Sequence, residues 1–201
     1  CRYEYFYQGT QMVKSNTSYE LQINLDGNSF SATAITDTPK VQIDSITYVE
    51  NFQVIYGKHE GIVVHYTIAP VGDNFFRFEM NRMVDSTTYD ANKQNSCSGD
   101  ELVAITEIGR TIYSGKGLND LPMTFVIEPA YKHNEDDEAF ILVQSCDKNL
   151  YEFYNNLDEQ RLAQSNPFAE PIFIHSTQFP NAVGVFGSYA TSDPVKFIFP
   201  E

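Results

Sequence analysis

Tyr19-Glu20-Leu21-Gln22-Ile23-Asn24-Leu25-Asp26-Gly27-Asn28-Ser29-Phe30-Ser31-Ala32-Thr33-Ala34-Ile35-Thr36 decides the fold class of this chain. Its first seven residues alternate apolar and polar, the period of a strand with one buried and one wet face. Asp26-Gly27-Asn28 follows, and glycine there takes a positive φ without a Cβ clash. Ser29 to Thr36 then returns, so the stretch predicts a β-hairpin.

Working outward, the period of two recurs. Pro39 closes the hairpin unit, and strands are predicted over 41–49, 52–56 and 62–68, the last two joined by the polar turn Gly57-Lys58-His59-Glu60-Gly61. Pro70-Val71-Gly72-Asp73-Asn74 reads as a turn before the strand Phe75 to Met80. Residues 85–100 are small and polar, the longest expected loop. Strands follow at 123–127, 140–143, 182–189 and 195–199. One segment changes period: Leu150, Phe153, Tyr154 and Leu157 fall at i, i+3, i+4 and i+7, with Leu162 continuing the face. That spacing predicts an amphipathic helix near 147–164, with Ser145 or Asp147 as N-cap and Asn166-Pro167 beyond its end. The expected fold is mostly β, a β-sandwich of immunoglobulin-like or open-barrel-like form with that one helix. Residues 1–38 read as an N-terminal hairpin unit, the remnant that trimming a smaller β-domain would leave, and 39–201 as the main sandwich domain.

Composition agrees. The chain has 13 Tyr and 15 Phe in 201 residues, side chains suited to a pleated, half-buried surface. Thirteen basic against 27 acidic residues give a formal charge of -14, which phosphate backbones repel, so no nucleic-acid partner is expected. No run of 18 apolar residues is present to span a membrane as a helix.

The three cysteines differ in setting. Cys97 lies in the polar stretch Asn95-Ser96-Cys97-Ser98-Gly99-Asp100, and Cys146 ends the apolar run from Phe140. A Cys97–Cys146 disulfide would pin that loop to the core in an oxidising compartment; two unrelated thiols are the alternative. Cys1 is where a mature bacterial lipoprotein carries its lipid and is read as a lipid anchor; because Arg2-Tyr3-Glu4-Tyr5-Phe6-Tyr7 already reads as a strand, the alternative is that Cys1 is the first residue of a fragment.

Toward the C-terminus the chain reads Asn166-Pro167-Phe168-Ala169-Glu170-Pro171, and later Asn181-Ala182-Val183-Gly184-Val185-Phe186-Gly187-Ser188-Tyr189. This resembles the end of a Bacteroidota family, domain of unknown function 4249, in which a helix is followed by Asn-Pro-Phe-Ala and a Gly-x-Phe-Gly-x-Tyr-like strand. The hairpin from Ser18 to Ile35 and the step Asp73-Asn74-Phe75-Phe76-Arg77 are similar to the family's earlier strands. The resemblance implies an outer-membrane lipoprotein on the periplasmic or surface side, attached through lipid alone and encoded near outer-membrane transporters. Members usually carry further strands before this hairpin. The resemblance implies no activity and no cofactor.

The residues themselves offer little catalytic chemistry. His59, His65, His133 and His175 are scattered, no Gly-x-Ser-x-Gly elbow is present, and no Cys/His pair has zinc spacing. Gly184 and Gly187 precede no helix, so close backbone approach or a bulge is their expected role. Glu135, Asp136, Asp137 and Glu138 form a weak calcium candidate, weighed against a solvated turn. Asp44-Ser45-Ile46 and Asp85-Ser86-Thr87 resemble short O-glycosylation signals at Ser45 and Ser86. The Tyr-rich strand at 2–7 is a conceivable aromatic platform. The expectation is a non-enzymatic envelope lipoprotein, an accessory or interaction subunit beside an outer-membrane transporter or assembly complex. A glycan- or ligand-binding surface module is the alternative.

Overall fold

A computed structural model describes residues 8–37, 40–54, 57–69, 72–85, 102–108, 112–118, 120–164, 168, 170, 174, 178–179 and 182–201. Within them the alternating sequence becomes β1 (Ser18–Leu25), β2 (Asn28–Ile35), β3 (Val41–Val54), β4 (Gly57–Ile68), β5 (Phe75–Asp85), β6 (Leu102–Ile108), β7 (Tyr113–Ser114), β8 (Pro122–Ile127), β9 (Glu138–Cys146), β10 (Tyr189–Thr191) and β11 (Val195–Ile198). The helix α1 spans Lys148–Gln164.

The strands form three antiparallel sheets. β1 and β2 pair from Ser18↔Ile35 to Leu25↔Asn28, turned by Asp26 and Gly27 at φ of 49° and 79°. A second sheet runs β3-β4-β8, and a third β10-β9-β5-β6, with β11 also on β9 and β7 on β5. The second and third sheets face each other. Ile62, Val64, Tyr66 and Ile68 of β4 point at Phe76, Phe78 and Met80 of β5 and at Ala139, Ile141 and Val143 of β9, all buried. Tyr66 meets Phe78 edge-on at 5.2 Å, and Phe78 stacks on Phe125 of β8 at 4.7 Å. Aromatic pairs at such spacings add to the area they bury. The result is the expected mostly-β sandwich, and none of its sheets closes into a barrel among the described residues.

Arg82 is a charged residue on the inward side of β5. Its Nε donates to Glu107 Oε1 at 2.9 Å, its two terminal nitrogens to the carbonyls of Lys132 and Tyr131, and the guanidinium lies over the Phe199 ring. Glu107 also accepts from the Ala130 N–H at 2.9 Å. A buried charge survives only when so fully partnered.

Asp147, not Ser145, is the N-cap of α1: its Oδ1 accepts from the Leu150 N–H at 2.9 Å. Ser145 instead accepts from the Lys40 N–H. α1 packs on the outer face of the third sheet, where Tyr151 stacks on Phe75 at 4.2 Å and Tyr154 lies over Arg77. Leu150 is its buried residue, whereas Leu162, expected on the same face, is exposed. The apolar stripe ends before the last turn because α1 lies on only part of that sheet.

Two strand expectations change. Residues 57–61 lie within β4 and are not a turn. A Cβ on Gly61 would meet Phe52 at 2.9 Å and crowd Val126, so this glycine allows close strand packing. Residues 183–188 are not strand, because side chains take their backbone bonds: Gln178 Oε1 accepts from the Phe186 N–H at 2.8 Å and Asp147 Oδ2 from the Ser188 N–H at 2.8 Å. Strand pairing begins at Tyr189.

Candidate functional site at the junction of hairpin, sandwich and helix

Lys40 immediately precedes β3, where the hairpin unit joins the sandwich, and it lines two neighbouring clefts. The first, about 680 Å³, opens between the start of β3, the end of β4 and the β10–β11 connection, and its polar walls include Gln42, Thr67, Asp120, Thr191, Ser192 and Asp193. The second, about 480 Å³, is bounded by Thr33 and Ile35 of β2, by Asp73 and Phe75, and by Cys146, Asp147, Lys148 and Asn149 at the start of α1. Lys40 Nζ bonds Asp37 at 2.6 Å on the rim between them.

Strand edges make the walls of the first cleft. β3 has register shifts between Ile43 and Ser45 and between Val49 and Phe52, which bend it out of a regular ladder. Across the cleft, β9 pairs with β10 and then β11, and Ser192 bridges the step between them. Its N–H donates to the Val143 carbonyl at 2.9 Å, and its hydroxyl accepts from the Val143 N–H at 3.0 Å. Interrupted edges present turned backbone and short polar side chains instead of a bare ladder.

In the second cleft Asp147 joins three elements. One carboxylate oxygen caps α1; the other accepts from Ser188, whose hydroxyl donates to the Ile35 carbonyl of β2 at 2.6 Å. Asn149 Nδ2 and Gln178 Nε2 both donate to the Thr33 carbonyl, at 3.0 and 3.1 Å. Gly187 is the close approach that makes this possible: a Cβ there would overlap Leu150 and come within 2.9 Å of Asp147 Oδ1. A Cβ on Gly184, by contrast, would lie 3.8 Å from Phe179, an ordinary contact.

These groups supply hydrogen-bond donors and acceptors and one thiol. Burial, with Asp147 adding to it and Arg77 opposing it, pushes the Cys146 thiol up to about 11, so it is protonated at neutral pH and a poor nucleophile. The described histidines lie elsewhere. His65 shares a hydrogen bond with Thr47 on the outer face of the second sheet, His59 lies 3.6 Å from Glu128, and His133 lies 2.9 Å from Glu60.

The other expected residues are dispersed. Ser45 is exposed at the bulge of β3, beside Asp44, which accepts from Thr67. Glu135 to Asp137 form a turn in which Asp137 accepts from the Asn134 N–H, while Glu138 opens β9 and pairs with Lys196 at 2.6 Å. Among the described residues no group of three His, Cys, Asp or Glu is arranged to hold a metal ion. Cys146 is a thiol at the end of β9. Cys1, the strand at 2–7, Ser86, Cys97 and His175 lie outside the described residues. The sequence reading missed Lys40, Asp120 and Asp193, which carry no motif and meet only through strand pairing.

The family model described as Domain of unknown function (DUF4249) matches residues 2–193. The chain belongs to this family. The match runs from the hairpin through both sheets and α1 to Asp193 in the wall of the first cleft. No curated protein and no solved structure matches the chain. The DUF4249 description names no activity, so function rests on the chemistry of the clefts.

Proposed function

We propose that this DUF4249 chain is a non-enzymatic interaction subunit of the cell envelope, held at the outer membrane by lipid and engaging a protein partner at the open edge of its sandwich. The observation that carries the reading is the pair of clefts meeting at Lys40, walled by interrupted strand edges and by side chains already bonded to backbone. Between those fixed points the cleft presents the polar side chains of Gln42, Asp120 and Asp193 to an extended peptide or loop. The charge of -14 favours a partner with basic residues at the contact. Envelope placement follows the family resemblance.

The test is detergent extraction of the native protein, intact-mass measurement, and affinity purification of wild type beside Asp193→Arg. Asp193 is an exposed cleft residue, so the substitution should leave the fold intact. An acylated mass and a stoichiometric outer-membrane protein, lost in the variant, are expected. A protein that elutes alone, or whose cleft instead retains oligosaccharide from a glycan panel, defeats the partner reading and in the second case supports a glycan-binding module.

A further inference from the structure

Among the described residues, the outer face of the third sheet is only half covered. Cross-strand register fixes which side chains share it: Phe75, Arg77, Glu79, Asn81, Met83 and Asp85 of β5 lie opposite Cys146, Gln144, Leu142 and Phe140 of β9, and opposite Ile108, Thr106, Ala104 and Leu102 of β6. Lys196 and Ile198 of β11 join the same face through Phe140 and Glu138. α1 covers the Phe75–Arg77 end, beside which Gln144 is buried. Beyond it, Met83, Leu102, Ile108, Phe140 and Ile198 are each between 40% and 54% exposed.

Five large apolar side chains on one sheet face form a surface of the kind that marks an interaction site. Its middle is stiffened by a chain of hydrogen bonds. Arg77 Nε donates to Gln144 Oε1 at 2.6 Å, Gln144 donates to Glu79, Asn81 Nδ2 donates to Glu79 Oε1 at 2.9 Å, and Thr106 donates to Asn81 Oδ1 at 2.6 Å. These polar groups are already satisfied, so covering them with another protein carries little desolvation cost.

We infer that this face docks an amphipathic helix of a partner protein, its apolar stripe flanked by basic side chains, laid beside α1. Four strands about 4.8 Å apart span roughly 14 Å, room for one helix about 10 Å across. Charge selects the occupant. Glu79, Asp85 and Glu138 lie on the uncovered part, where Lys196 is already paired to Glu138. A second copy would bring a charge of -14 against another -14. The uncovered part shares no lining residue with the clefts at Lys40 and does not depend on their role.

The experiment places a photocrosslinking phenylalanine at Met83, or at Thr124 on the outer face of the other sheet, in the full chain expressed in cells. Crosslinking at Met83 and not at Thr124, to a protein whose crosslinked peptide is a basic-flanked amphipathic helix, is the expected result. The purified captured protein should then bind the wild-type chain, more weakly as salt rises. It should lose about thirtyfold or more in affinity to Phe140→Asp. Phe140 points outward, so that variant should keep its thermal midpoint within about 2 °C. Crosslinks to a second copy of this chain, to lipid, equally from both positions, or from neither, overturn the proposal. So does a captured protein whose binding ignores Phe140→Asp.

Discussion

Arg82 and Glu107 show what one inward charge costs and secures. The Arg82 side chain is fully buried and 2.8 Å from Glu107, and it also holds the carbonyls of Tyr131 and Lys132. Arg82→Met leaves Glu107 and both carbonyls without that partner, so a loss of about 3–5 kcal/mol is expected in denaturant unfolding. Adding Glu107→Leu should recover the part due to the stranded carboxylate and not the part due to the carbonyls. A double variant no better than the single would show that the ion pair is not the source of the loss. A second residue cluster responds to pH. The Tyr48 hydroxyl holds the Glu60 carboxyl below its ordinary value, burial works against it, and His133 adds to the lowering. A lowered carboxyl contributes stability above its ordinary value near 4.5, and that contribution disappears as pH falls. Tyr48 moves the other way, pushed up to about 12 by burial first and then by Glu60. Its contribution is present below pH 10 and is lost as pH rises toward 12. The difference between phenolate titrations of wild type and Tyr48→Phe should therefore ionise near 12; a difference centred on 10 would show that the contact is absent in solution.

At the scale of elements, α1 depends on a junction that its own periodicity does not reveal. Leu150, Phe153, Tyr154 and Leu157 made the helix legible, and Asp147 was one of two readable caps. Its second role, holding Ser188 and through it β2, was not, because residues 147 and 188 meet only in the fold. The glycines at 184 and 187 look alike in sequence, yet only Gly187 has Leu150 and Asp147 against its missing Cβ. Asp147→Ala should cost about 1–2 kcal/mol as a lost cap and more through Ser188. Asp147→Ser, which restores the cap alone, should recover only part. Gly187→Ala should cost about 1–3 kcal/mol through overpacking against Leu150. Denaturant midpoints of the three variants check this, and equal stability for Asp147→Ser and wild type would remove Ser188 from the account. The strand expected over 182–189 fails for the same reason. Its apolar pattern is real, but Gln178 and Asp147 compete for its backbone donors and win.

Across the whole molecule, the legible part was whatever alternates: the hairpin, β4, β5 and β9 each carry the period of two that assigns one face to the core. The two surfaces proposed for binding were not legible, because each is assembled from residues far apart in sequence. Lys40, Asp120 and Asp193 share a cleft only after β3, β4 and the β10–β11 connection pair, and Met83, Phe140 and Ile198 share a face only through register. The same topology sets how the molecule should open. The second and third sheets share one core centred on Tyr66, Phe78 and Phe125, so neither can leave without exposing the other's aromatic side chains. The hairpin is different: among the described residues it is joined through Thr33 and Ile35 carbonyls, the Phe30–Phe179 contact and buried Ala32 and Ala34. Few buried contacts mean a low local opening energy. Native-state hydrogen exchange should therefore show β1 and β2 amides exchanging through a sub-global opening, while β4, β5 and β9 amides exchange with the denaturant dependence of full unfolding. Asp147→Ala should lower protection of the hairpin more than that of β4. Equal protection throughout would mean that the hairpin and the sandwich unfold as one unit, and that the junction at Asp147 is as strong as the core it joins.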